Sequence, residues 1–185
     1  MKLTAVREGA PSWVELSTSD EASAVTFYTN LFGWVDHAEP MPAESGGGVH
    51  HMPQIEGDNI CGISTQQPEE AAQGVPPHWN IYMAVDDLDA TLAKVEPAGG
   101  RVLLPAMDVM DIGRMSYIMD PTGAALGLWQ AKLHKGFGRY GEPGAVTWTE
   151  LMTSDAPAAQ SFFEQVLGVS AETIEEISPG AIDDV

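Results

Sequence analysis

The feature that most constrains this chain is an internal repeat. Trp13-Val14-Glu15-Leu16-Ser17-Thr18-Ser19-Asp20 recurs 135 positions later as Trp148-Thr149-Glu150-Leu151-Met152-Thr153-Ser154-Asp155. At the same shift Phe27-Tyr28 meets Phe162-Phe163, and Leu31-Phe32-Gly33 meets Val166-Leu167-Gly168. Self-similarity at a fixed period means that one supersecondary plan is used more than once. A fainter copy lies inside the first unit at a shift of 67, where Asp20 meets Asp87 and Gly33-Trp34-Val35 meets Gly100-Arg101-Val102. The first unit is therefore itself two modules.

Each module reads as a strand, a helix and further strands. Residues 12 to 18 alternate, with Val14 and Leu16 opposite Trp13, Glu15 and Ser17, the two-residue period of a half-buried strand. Asp20 then offers an N-cap, and Ala24, Phe27, Tyr28 and Leu31 recur at helical spacing until Gly33. In the second module Ile81, Met83 and Val85 oppose His78, Asn80 and Tyr82, and Asp87 caps a helix that ends before Gly99-Gly100. Hairpins are expected about Glu56-Gly57-Asp58-Asn59, between Val49 to Ile55 and Ile60 to Ser64, and about Asp120-Pro121-Thr122-Gly123, between Met115 to Met119 and Ala124 to Gln130. The expectation is an α+β fold, two βαβββ modules over 10–67 and 78–131 forming one eight-stranded sheet in a domain of residues 10–131. Residues 68–77 and 132–144 are linkers, and 145–185 open a second unit that would extend to about 265 if complete. Trp148, Leu151, Phe162, Phe163, Val166 and Leu167 then lack partner surface, which predicts either a longer tandem protein or self-association.

Composition removes several function classes. Eight Lys plus Arg against 27 Asp plus Glu give a net charge of -19, which repels nucleic acid and anionic membranes. No run reaches the roughly 18 apolar residues of a membrane span, and the amino terminus has no apolar signal segment, so the expected location is cytoplasmic. Cys61 is the only cysteine; it lies in the apolar run Ile60-Cys61-Gly62-Ile63 and reads as a small buried hydrophobe. Gly46-Gly47-Gly48 precedes a strand and not a helix, so it makes no phosphate cradle.

Three motifs in order carry a family resemblance. Phe27-Tyr28 with Leu31-Phe32-Gly33-Trp34, Val85-Asp86-Asp87-Leu88-Asp89, and Asp120-Pro121-Thr122-Gly123-Ala124 together resemble the vicinal-oxygen-chelate superfamily of glyoxalase, bleomycin-resistance and extradiol-dioxygenase relatives. The resemblance covers residues 10 to 131 and is similar in character to tandem glyoxalase-like proteins. It implies a sheet curled round a central cavity with helices outside. Trp13, Glu15, Ser17, His78, Asn80 and Tyr82 would then face that cavity.

The same resemblance implies where metal ligands stand in metal-using members: seven residues before each capping acid, and near the end of the last strand. Those positions hold Trp13, Asn80 and Gly127. Indole and glycine hydrogen cannot supply the three or more N, O or S donors, within about 2.0 to 2.6 Å, that a divalent cation needs. The expected cofactor is none, with a shifted Glu15/His78 metal site as the alternative. His50 and His51 are adjacent in a strand and point to opposite faces, and His37 and His134 read as surface residues in loops.

Two functional expectations stay open. One is binding of a small aromatic or carbonyl-containing metabolite by Trp13, Asn80, Tyr82 and Trp129, with Met107 and Met110 from a loop spanning 106–113. The other is glyoxalase-like lyase or isomerase chemistry, with Glu15 as general base and His78 or Tyr82 polarising a carbonyl. Extradiol oxygenation requires two His and a carboxylate on iron, which the implied positions do not supply.

Overall fold

The computed structural model describes residues 1–41 and 48–170. The Gly46-Gly47 pair and residues 171–185 of the second unit lie outside the described residues. The first module contains β1 (Pro11–Thr18), α1 (Glu21–Phe32), β2 (Ala38–Pro40), β3 (Val49–His51), the short pair β4 (Gln54–Ile55) and β5 (Asp58–Asn59), β6 (Gly62–Thr65) and α2 (Pro68–Ala72). The second contains β7 (His78–Ala84), α3 (Leu88–Val95), β8 (Arg101–Val109), β9 (Gly113–Met119) and β10 (Ala125–Ala131); α4 (Ala156–Leu167) follows.

Eight strands form one mixed sheet in the order β2-β3-β6-β1-β7-β10-β9-β8. The arrangement is a repeat of itself: β1 runs parallel to β6 and β7 parallel to β10, with β1 and β7 antiparallel at the centre. Two βαβββ modules thus meet at their first strands. The helices start and stop where the sequence directs. Asp20 and Asp155 accept the Ser23 and Ala158 amides at the starts of α1 and α4, and Gly33 and Gly168 end them in the left-handed conformation at φ 70° and 67°.

Three departures have local causes. The expected strand Val49 to Ile55 breaks before Pro53, which cannot donate to a ladder; Gln54 and Ile55 leave the large sheet and pair with β5, Gln54 also bridging to Val35. The expected loop 106–113 is mostly strand, because β8 continues to Val109 against β9. Trp148 to Thr153, the repeat of β1, forms no strand: β1 is held by β6 and β7, and the second copy has no such neighbours among the described residues.

One face of the sheet is covered by helices. Ile118, Leu126 and Leu128 pack there with Leu88 and Val95 of α3 and with Phe162, Val166 and Leu167 of α4. This corrects the expectation that the second copy's helix lacks partner surface. Phe162 is fully buried, and it lies so close over Gly100 that a Cβ there would sit 2.4 Å from its ring. Trp148, Leu151 and Met152 do stay exposed. The same positions of α1 are bare: Phe27, Leu31 and Phe32 are 59%, 58% and 46% exposed. Among the described residues no helix is long and apolar enough to cross a membrane.

Candidate functional site

The opposite, inner face of the sheet carries the residues singled out above. The β1–β7 register sets Trp13 against Tyr82, Glu15 against Asn80 and Ser17 against His78. All six therefore point away from Val14, Leu16 and Ile81. Asn80 is partly buried.

Both oxygens of Glu15 are engaged. Oε1 lies 2.9 Å from His50 Nε2, and Oε2 accepts the Trp13 indole N–H at 3.2 Å. The carboxylate rests directly above Gly62 of β6, where a Cβ would fall 1.7 Å from Oε2. Any larger residue at 62 would displace it. Burial alone would push the His50 imidazole down, but the hydrogen bond and charge of Glu15, helped by Glu39, hold it above its ordinary value. A protonated His50 beside Glu15 is thereby favoured.

A second pair mirrors the first. Tyr82 and Tyr117 share a short hydroxyl–hydroxyl hydrogen bond, and their rings lie 5.5 Å apart. Tyr82 lies over Gly127, where a Cβ would fall 2.2 Å from the ring. Tyr82 stands 67 positions after Glu15, and Tyr117 stands 67 after His50. The two modules use one geometry with two chemistries: an acid–imidazole pair in one half, two phenols in the other. Burial, first of all, raises both phenols, Tyr117 to about 12, so both are neutral donors at pH 7.

Other candidates fall elsewhere. His78 does not join Glu15; its Nδ1 is 2.9 Å from the Pro76 carbonyl oxygen. His50 takes the place beside Glu15, while its neighbour His51 turns to Asp36 on the other side, at 2.7 Å. Met107 shares the inner face with Met115 but is 46% exposed, and Met110, in the turn after β8, is 56% exposed. Trp13 and Trp129 are buried: His134 stands edge-on to Trp13 at 4.4 Å, with Phe137 packed beside it, and Trp129 borders a recess it shares with Ser12, Gln130 and Lys135. The segment carrying His134 and Phe137, expected as a linker, closes the base of the inner face. His134 is consequently not a surface residue. Its Nε2 is buried without a hydrogen-bond partner, and burial, then the charge of His50, lowers it to about 4. Cys61 is buried, and burial raises its thiol far above the reactive range.

The half-length repeat held the signal for His50, since the shift that takes Glu15 to Tyr82 also takes His50 to Tyr117. For His134 no local signal existed, because the ring that seals it, Trp13, lies 121 positions away.

The residues present do not fit the metal triad that the resemblance implies. Trp13 spends its N–H on Glu15, and the ring of Tyr82 covers Gly127. Glu15 and His50 are two donors, and among the described residues no group of three or more His, Cys, Asp or Glu is placed to hold an ion.

Comparison with known proteins places this geometry. Residues 10–128 match the Glyoxalase/Bleomycin resistance protein/Dioxygenase superfamily. CFP32 of Mycobacterium bovis, which carries the name glyoxylase, is 46% identical over 174 residues, covering 94% of this chain and 66% of its own length. The anthracycline biosynthesis protein DnrV of Streptomyces peucetius is 34% identical, covering 91% of this chain and 64% of its own. The chain thus spans just under two thirds of the length of these relatives. The fold matches the Mn(II)-bound glyoxalase of Novosphingobium aromaticivorans at a TM-score of 0.60 and 19% identity, over 88% of this chain and 53% of that one. It also matches a Streptomyces coelicolor methylmalonyl-CoA epimerase at 0.51 and 19%, over 70% of this chain and 99% of that one.

Proposed function

We propose, because the chain belongs to the Glyoxalase/Bleomycin resistance protein/Dioxygenase superfamily, that its inner sheet face binds a small carbonyl-containing or aromatic metabolite without the superfamily's metal triad. The observation that carries this reading is the polar centre made by Glu15–His50 and Tyr82–Tyr117 on the inner face. The Glu15 and His50 side chains retain 15% and 28% exposure, so a ligand can reach them. Tyr rings with Met115 and Met107 supply apolar surface beside them, the usual composition of a small-molecule site. Relatives named for anthracycline biosynthesis accord with that ligand class. The working location is the cytoplasm, and nucleic acid is not a partner of so acidic a chain.

Glu15–His50 favours a second reading, lyase or isomerase chemistry. A carboxylate held by an indole N–H and an imidazole can take a proton from a bound carbonyl compound, and His50 can return one, without a metal. His50 replaces His78 in this role.

Glu15→Gln separates the two. The isosteric amide keeps the packing and removes the base. Binding without catalysis predicts that 1-phenyl-1,2-propanedione, followed by tryptophan quenching, binds wild type and variant within about threefold, and that neither exchanges the probe's α-protons in D2O. Exchange by wild type, reduced by about 100-fold or more in Glu15→Gln at unchanged melting temperature, establishes the second reading. No binding by wild type to this or other neutral aryl ketones refutes both.

A further inference from the structure

We propose that the Tyr82–Tyr117 hydroxyl pair is the anchor for a neutral carbonyl oxygen of the ligand, an inference resting on the reading of the inner face as the ligand site. Two hydroxyls carry two hydrogens, and their mutual bond uses one. The remaining hydrogen is directed by that bond and has no protein acceptor among the hydrogen bonds of the described residues. A buried or half-buried O–H keeps its free energy low only by finding an acceptor, which a bound carbonyl supplies.

Charge selects the acceptor. The inner-face positions of the six inner strands, β3, β6, β1, β7, β10 and β9, contain neither Lys nor Arg. Glu15 stands nearby, and Glu70 reaches in from α2 to Ser17 Oγ at 3.2 Å. Of the imidazoles on this face, His50 is already paired with Glu15 and His78 is turned to the Pro76 carbonyl. A carboxylate or phosphate would meet these acids without a free counter-charge, whereas a ketone, aldehyde or quinone oxygen needs only the phenol donor.

Gly127 makes the anchor possible. Tyr82 lies flat against β10 only because no Cβ stands there, and this brings its hydroxyl to that of Tyr117. In the other module Gly62 serves Glu15 in the same way, its missing Cβ leaving room for the carboxylate.

The test uses wild type, Tyr82→Phe, Tyr117→Phe and Glu15→Gln, with 1-phenyl-1,2-propanedione, benzoate and propylbenzene as probes. Tryptophan quenching gives affinity, and the infrared carbonyl stretch of the bound dione reports the hydrogen bond. The expectation is that the dione binds more tightly than benzoate or propylbenzene and shows a lowered carbonyl frequency. At least one of the two Phe variants, the one that removes the hydroxyl donating to the ligand, weakens dione binding by about three- to tenfold, the value of one hydrogen bond, and restores the free frequency. Glu15→Gln keeps the lowered frequency. Melting curves with both Phe variants folded exclude a packing explanation, and propylbenzene affinity unchanged in them confirms it. If wild type binds the dione but neither Phe variant alters affinity or frequency, the anchor is refuted and the site reading stands. If benzoate binds as well as the dione, the neutral-oxygen assignment is refuted. If wild type binds none of the three, the site reading fails and the anchor with it.

Discussion

His134 and His50 lie on the same inner face and respond to protons in opposite ways. Burial lowers His134 to about 4, so between pH 6.5 and 4 the unfolded chain takes up a proton that the folded chain refuses. Its contribution to stability is full above its unfolded value and declines as pH falls, by on the order of 3 kcal/mol. His50 is raised, so its contribution is full below the ordinary value of 6.5 and is lost as pH rises through the folded value. Stability attributable to these two residues therefore peaks near pH 6.5. His134→Phe, which keeps a ring between Trp13 and Trp129 and removes the unpartnered Nε2, is expected to flatten the acid side of a melting-temperature profile. Parallel losses below pH 6.5 in variant and wild type would show that His134 is not held neutral by the fold. The sequence placed His134 in a loop: Trp129 is only 5 positions away, but Trp13, which closes over it, is 121 positions away on another strand.

At the level of elements, α1 and α4 have the same capping residues and repeated apolar positions but different fates. Phe162 of α4 is fully buried against α3 and the sheet, while Phe27, its repeat in α1, is 59% exposed. Phe162→Ala is expected to cost about 3 to 5 kcal/mol, read as a lower urea midpoint, because it leaves a ring-sized cavity. Phe27→Ala should stay within about 0.5 kcal/mol, as surface substitutions do. Equal effects would mean that α4 is not docked as described. Both helices were legible from Asp, apolar spacing and terminal Gly, since a cap is a local interaction. Their burial was not, since it depends on which surface the chain folds back upon. The break at Pro53 was readable in principle from its missing N–H; the extension of β8 through Val109 was not, because it follows from pairing with β9.

For the whole molecule, a charge of -19 is the dominant long-range term. A few ion pairs oppose it, chiefly Arg139 with Glu56, Asp58 and Glu142, and Arg114 with Asp89. These pairs are short-ranged and mostly solvent-touched, whereas the excess acids repel one another across the surface. Raising NaCl from 10 mM to 1 M shortens the screening length from about 30 Å to about 3 Å. The melting temperature should rise by at least about 2 to 4 °C, the shift that 1 kcal/mol produces in a chain of this size. A fall would show that the ion pairs outweigh the general repulsion.

Periodicity, capping residues and the two repeats determined by themselves the modules and which side chains of β1 and β7 share a face. Alternation in a strand is a property of the backbone, and a repeated pattern folds the same way twice. Only the tertiary structure decided that Glu15 meets His50 and not His78, that Tyr82 meets Tyr117, and that Trp13 is sealed beneath His134. Those contacts join residues 35, 35 and 121 positions apart. Which groups touch across such separations is settled by strand order and by the glycines that let side chains lie flat, and neither is written in any local stretch of chain.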